Sequence, residues 1–203
     1  MTIEEIMRTA PVIPVLVLDD SADPVALAET LVEAGLPVIE VTLRTQGALD
    51  AIRAMARVPG AIVGAGTVLN EGKLAQAIDV GSKFIVSPGL TEALGKAAIQ
   101  AGIPFLPGVA TAGDIMRGFD LGLNYFKFFP AEACGGIPAL KALSAVFGEA
   151  RFCPTGGIRP ETAADWLALP SVLCVGGSWI VQSGESDHAA ITEHARQAAA
   201  LAR

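Results

Sequence analysis

Eight times along its 203 residues the chain repeats one pattern, a short apolar or β-branched run followed by an Ala-rich stretch of helical period. Such alternation is what a parallel sheet with crossover helices requires, because each strand must be returned to the same end of the sheet before the next begins. The runs are residues 12–18, 37–43, 61–65, 83–87, 103–107, 125–128, 151–154 and 172–175. A segment such as DPVALAETLVEAG, residues 23–35, carries its own punctuation: Pro just inside the start and Gly at the end. No Ser/Gly-rich linker or charge block breaks the rhythm, so residues 1–203 are expected to form a single domain. Eight βα units in about 200 residues predict a small (β/α)₈ TIM barrel. The opening TIEEIMRTA is expected to be a short helix that closes the barrel's bottom. A doubly wound open sheet is the rival. Against it, no G-x-G-x-x-G follows the first run, and VGAGTVLNEG has Gly64 and Gly66 but lacks the third glycine.

Bulk properties remove several classes of function. Residues of hydrophobic type make up 52% of the chain, yet they come in short runs, far from the roughly 18 continuous apolar residues of a membrane span. The first ten residues carry two acids and no basic segment leading into an apolar one, so they do not read as a secretory signal, and a cytoplasmic location is expected. Cys134, Cys153 and Cys174 are odd in number and lack C-x-x-C spacing, which suits reduced thiols used as core filler. A net charge of −7 argues against a nucleic-acid surface, since phosphate neutralisation needs clustered Lys and Arg. Any anion site must be local.

Chemistry enters through the pleat. Along PVIEVTLRT, Val38, Glu40, Thr42 and Arg44 share one face while Ile39, Val41 and Leu43 share the other. The second face is apolar and suits the helix layer, which turns Glu40 and Arg44 inward. An inward charge is costly unless it is paired or used. One alternative is an ion pair that merely ties strands together. In NYFKFFPAE the same rule puts Tyr125, Lys127 and Phe129 on one face, with Lys127 near the strand's C-terminal end. Lys127 and Glu40 are thus expected to face each other across the lumen. Desolvation disfavours a lysine's ammonium form and leaves an amine able to attack a carbonyl carbon, and a nearby carboxylate can move protons during imine chemistry. The alternative for Lys127 is a strand-end lysine that snorkels to solvent.

Thr67, Pro88 and Thr155 follow the third, fourth and seventh runs, where loops meet the barrel mouth. PTGGI follows the seventh and VGGSWI the eighth. Paired glycines let backbone N–H groups approach an oxyanion, and the last two loops are the usual phosphate cradle of this fold. That makes Gly156, Gly157, Gly177 and Ser178 candidates for holding a phosphate. A metal is not expected. His188 and His194 are six apart on a helical segment, without H-E-x-x-H or a cysteine partner. Carbon–carbon chemistry without a metal would rely on an imine, which returns the argument to Lys127.

The motifs VIEVTLRT, GAGTVL, FKFFPAEACGG, RFCPTGGI and SVLCVGGSW, in this order and spacing, resemble the bacterial 2-keto-3-deoxy-6-phosphogluconate (KDPG) aldolases over nearly the whole chain. The resemblance implies a metal-independent Schiff-base aldolase with no cofactor. It implies Lys127 as the imine-forming lysine and Glu40 as general acid/base. Arg44 and Thr67 would bind the pyruvate carboxylate, and Thr155, Pro88 and Phe129 would line the substrate. Gly156, Gly157, Gly177 and Ser178 match the family's phosphate site. A homotrimer, and a second activity on 4-hydroxy-2-oxoglutarate, are implied as well. Thr155 and Ser178 look like the gluconate rather than the galactonate type. The partners expected are small keto acids, with no nucleic acid and no membrane. A phosphosugar isomerase or epimerase on the same barrel, with Glu40 as base, is the enzymatic alternative; a non-catalytic sugar-phosphate binder is the other.

Overall fold

A computed structural model describes residues 1–19, 22–182 and 187–202. A short first helix, α1 (Ile3–Thr9), precedes β1 (Val12–Leu16). Helices and strands then alternate: α2 (Pro24–Glu33), β2 (Val38–Thr42), α3 (Ala48–Met55), β3 (Ile62–Gly66), α4 (Glu71–Asp79), β4 (Ile85–Val86) and α5 (Glu92–Gln100). The fifth run is split into β5 (Phe105–Leu106) and β6 (Gly108–Val109), followed by α6 (Ala112–Asp120), β7 (Tyr125–Phe128) and α7 (Gly136–Val146). The chain finishes with β8 (Arg151–Pro154), α8 (Pro160–Leu167), β9 (Val175–Gly177) and α9 (His188–Ala199). The sequence punctuates these helices locally. Asp23 accepts from the N–H groups of Val25 and Ala26 with Pro24 in the first turn, and Gly35 behind α2 takes φ +94°, a conformation open to glycine. At α1, Thr2 and Glu5 form a reciprocal capping box.

Every named strand pairing is parallel. The sheet is curled, with β5-β4-β3-β2-β1-β9 forming one six-stranded part and β6-β7-β8 a three-stranded part. Pro107 is the whole gap between β5 and β6. It has no N–H to give the ladder, while its carbonyl accepts the Lys127 N–H at 2.8 Å. On the other side, isolated parallel bridges join Phe152 to Val172 and Thr155 to Gly176. The expected eighth run, residues 172–175, is displaced: the strand is Val175–Gly177, because Val12, Ile13 and Pro14 of β1 pair with Val175, Gly176 and Gly177.

Two apolar layers follow from the pleat. Ile39, Val41, Phe126 and Phe128 lie in the larger cluster with the helices. Val38, Ile13, Phe84, Val86, Leu106 and Cys153 form a separate cluster with Ile6 and Met7 of α1, so the first helix does cap that inner layer. Tyr125 adds a hydroxyl donated to Glu4 of the same helix. That bond, with help from Arg8, holds the Glu4 carboxyl below its ordinary pKa, and the same bond together with burial pushes the Tyr125 phenol up. Among the described residues, no helix is long and apolar enough to cross a membrane.

Candidate active site

Lys127 is the penultimate residue of β7, held in register by Gly108 on one neighbouring strand and Cys153 on the other. Its side chain is 7% exposed, and Nζ lies 3.0 and 3.2 Å from the two carboxylate oxygens of Glu40. Glu40 stands in the middle of β2, its side chain 4% exposed, 87 positions away in sequence. The ammonium also lies 5.3 Å from the ring centroid of Phe129. The snorkelling alternative for Lys127 gives way to this arrangement, while an inner ion pair does exist, between Glu40 of β2 and Lys127 of β7. Replacing a buried ion pair by well-packed apolar groups is often neutral or stabilising, so a pair of this kind is poorly explained by stability and well explained by chemistry.

Two glycines create the space that these polar groups occupy. A Cβ on Gly66 would stand 2.2 Å from Glu40 Oε1, and one on Gly176 would stand 2.3 Å from Thr155 Oγ1. Reasoning from sequence set Gly66 aside as part of an incomplete dinucleotide motif and did not single out Gly176. The available signal was a glycine one strand over from an inward acid, which only the register Thr42 to Gly66 makes visible.

The parallel strands deliver the remaining candidates to one edge, the C-terminal one. Arg44 lies in the turn beyond β2 and is exposed. Thr67, half-buried, follows β3 with φ +58°, a left-handed conformation that is a genuine outlier for a β-branched residue and costs about 1–3 kcal/mol. Such strain collects where function needs a fixed geometry. Pro88 follows β4, half-buried, its carbonyl close against Gly108. Phe129 lies two positions after Lys127 and begins the loop after β7. Thr155 is buried next to Cys153, their Oγ1 and Sγ atoms 3.9 Å apart.

Gly156 and Gly157 form the turn after β8, with φ +103° and +81°. The other glycine pair differs from expectation: Gly176 and Gly177 are strand residues of β9 rather than a turn beyond it. Ladder bonding to β1 holds them extended, and Trp179 folds back to within 2.8 Å of where a Gly177 Cβ would be. Ser178 is exposed at the strand's end. The edge therefore gathers a buried lysine–carboxylate pair, an exposed guanidinium and a glycine turn. That set suits an anionic keto acid with a second anionic end. His188 is elsewhere, on α9, its Nδ1 2.9 Å from Thr30 Oγ1.

Comparison with known proteins points the same way. Residues 3–194 match the family of KDPG and KHG aldolases. The chain is 58% identical over 201 residues to the 2-dehydro-3-deoxy-phosphogluconate aldolase of Zymomonas mobilis, spanning 99% of this chain and 97% of that protein. It is 53% identical to the KHG/KDPG aldolase of Escherichia coli K12, spanning 96% and 93%. Among solved structures, the KDPG aldolase of Legionella pneumophila with pyruvate captured at low pH as a covalent carbinolamine intermediate superposes with a TM-score of 0.95 at 42% identity, covering 98% of this chain and 99% of that one. With a family match over most of its length and relatives above half identity, the chain belongs to the KDPG and KHG aldolase family.

Proposed function

We propose that the protein is a Schiff-base aldolase that cleaves 2-keto-3-deoxy-6-phosphogluconate to pyruvate and glyceraldehyde 3-phosphate, and 4-hydroxy-2-oxoglutarate to pyruvate and glyoxylate. The observation that carries this reading is the buried Lys127 Nζ held 3.0 Å from Glu40. Lys127 attacks C2 of the keto acid; loss of water gives a protonated imine, an electron sink for breaking the C3–C4 bond. Glu40 takes the C4 hydroxyl proton as the aldehyde leaves and returns a proton to C3 of the enamine. Hydrolysis then frees pyruvate and the amine. A related aldolase captured with pyruvate as a carbinolamine supports the first step.

The other roles extend the same reading to the rest of the edge. Arg44 offers a bidentate fork to the pyruvate carboxylate, which a lysine cannot reproduce, and Thr67 closes the same end. Pro88, Phe129 and Thr155 line the carbon chain. The N–H groups around Gly156, Gly157 and Gly177, with the Ser178 hydroxyl, hold the phosphate. Thr155 and Ser178 favour the gluconate epimer. We further infer a single-domain (β/α)₈ barrel, supported by the bridges Phe152 to Val172 and Thr155 to Gly176 and by the one-residue gap at Pro107. A homotrimer working on small keto acids in the cytoplasm completes the proposal.

Borohydride added with pyruvate is expected to attach one reduced pyruvyl group at Lys127, read by intact mass and peptide mapping. Lys127→Ala is expected to lose both the adduct and cleavage. An unmodified wild type would overturn the imine mechanism and favour the isomerase alternative, and a Lys127→Ala variant with normal cleavage would overturn the assignment.

A further inference from the structure

The motif that supplies Lys127 ends on Glu132, and the chemistry above does not use it. Gly156 and Gly157 both adopt positive φ, so the turn has little conformational preference of its own and must be held from outside. The segment after β7 does this. Ala131 N–H donates to Thr155 O at 2.8 Å and Glu132 N–H donates to Gly156 O at 3.1 Å. The Glu132 side chain then backs the turn: a Cβ on Gly157 would stand 2.8 Å from both Cβ and Cγ of Glu132. Its carboxylate is anchored in turn. Trp166 of α8 is fully buried and donates its indole N–H to Glu132 Oε1 at 3.1 Å. A buried indole N–H needs an acceptor, so the indole fixes the carboxylate and the stem fixes the glycine turn.

We infer that Glu132 is a positioning residue for the phosphate-holding turn, and that through it the chain favours phosphorylated over unphosphorylated keto acids. The inference rests on the proposed aldolase function. A carboxylate beside an anion site opposes binding by like-charge repulsion, so what it adds there is shape. Glutamine keeps that shape and an oxygen for the indole; alanine keeps neither.

The test is steady-state cleavage of both keto acids by wild type, Glu132→Ala, Glu132→Gln and Trp166→Phe. Glu132→Ala is expected to raise KM for the phosphorylated substrate roughly threefold to tenfold, the scale of one net hydrogen bond. The kcat on that substrate, and kcat/KM on 4-hydroxy-2-oxoglutarate, should change by less than about twofold on the same scale. Glu132→Gln should restore the wild-type KM or lower it. Trp166→Phe, which keeps the ring and removes only the donor, should reproduce the selective KM change and serves where the alanine variant does not fold. Equal impairment on both substrates, or no change on either, would overturn the inference while leaving the aldolase assignment in place. A wild type inactive on both substrates would overturn the aldolase assignment and this inference with it.

Discussion

An alanine methyl at position 66 would lie 2.2 Å from Glu40 Oε1 and 2.7 Å from its Cγ and Cδ, with strand backbone behind it, so Gly66→Ala must push the carboxylate off Lys127. We expect kcat to fall by about 100-fold or more, the scale of losing a general acid/base, with Glu40→Gln falling similarly. Borohydride trapping of pyruvate should persist in both, since the amine remains. Cleavage near the wild-type rate in Gly66→Ala would show that Glu40 does not act from its observed position. Lys127 and Glu40 were legible because the pleat alone separates inward from outward residues on one strand. Gly66 was not. What excludes a side chain there is a carboxylate 26 positions back, and no local pattern announces it.

Helix starts were legible because a cap acts within four residues. At α6, Thr111 and Asp114 form a reciprocal capping box, and Arg117 lies 3.3 Å from Asp114. Burial pushes the Asp114 carboxyl up, but the Ala110 and Thr111 N–H groups and the Thr111 hydroxyl outweigh it and hold the group below its ordinary value. A carboxyl depressed in the folded state stabilises above its unfolded pKa, and the contribution is lost as pH falls through the folded one. Asp114→Asn is therefore expected to cost about 1 kcal/mol at neutral pH, with the gap to wild type narrowing below the ordinary carboxylate range. Urea unfolding at the two pH values measures it; a gap independent of pH would remove the charge from the account. Strand ends were less legible. The eighth run shifted into its glycines because the register is set by β1, more than 160 positions earlier.

The curled array of βα units buries its apolar runs well, yet Val146, Leu69, Met116 and Ile99 remain exposed on the single chain. The proposed homotrimer has a direct test in the particle mass. Light scattering is expected to return three times the 20.8 kDa chain mass, independent of dilution across the micromolar range; a monomer mass would overturn the trimer.

Local sequence settled the alternation of strand and helix, the inward faces of β2 and β7 and the chemical types available to the site, because periodicity, capping and the pleat act over a few residues. Tertiary packing alone set the 3.0 Å distance between Lys127 and Glu40, made Gly66 and Gly176 yield space to Glu40 and Thr155, and brought Trp166 to anchor Glu132. Those relations are set by the register and curl of the sheet, which bring positions as far as 87 residues apart within 3.0 Å.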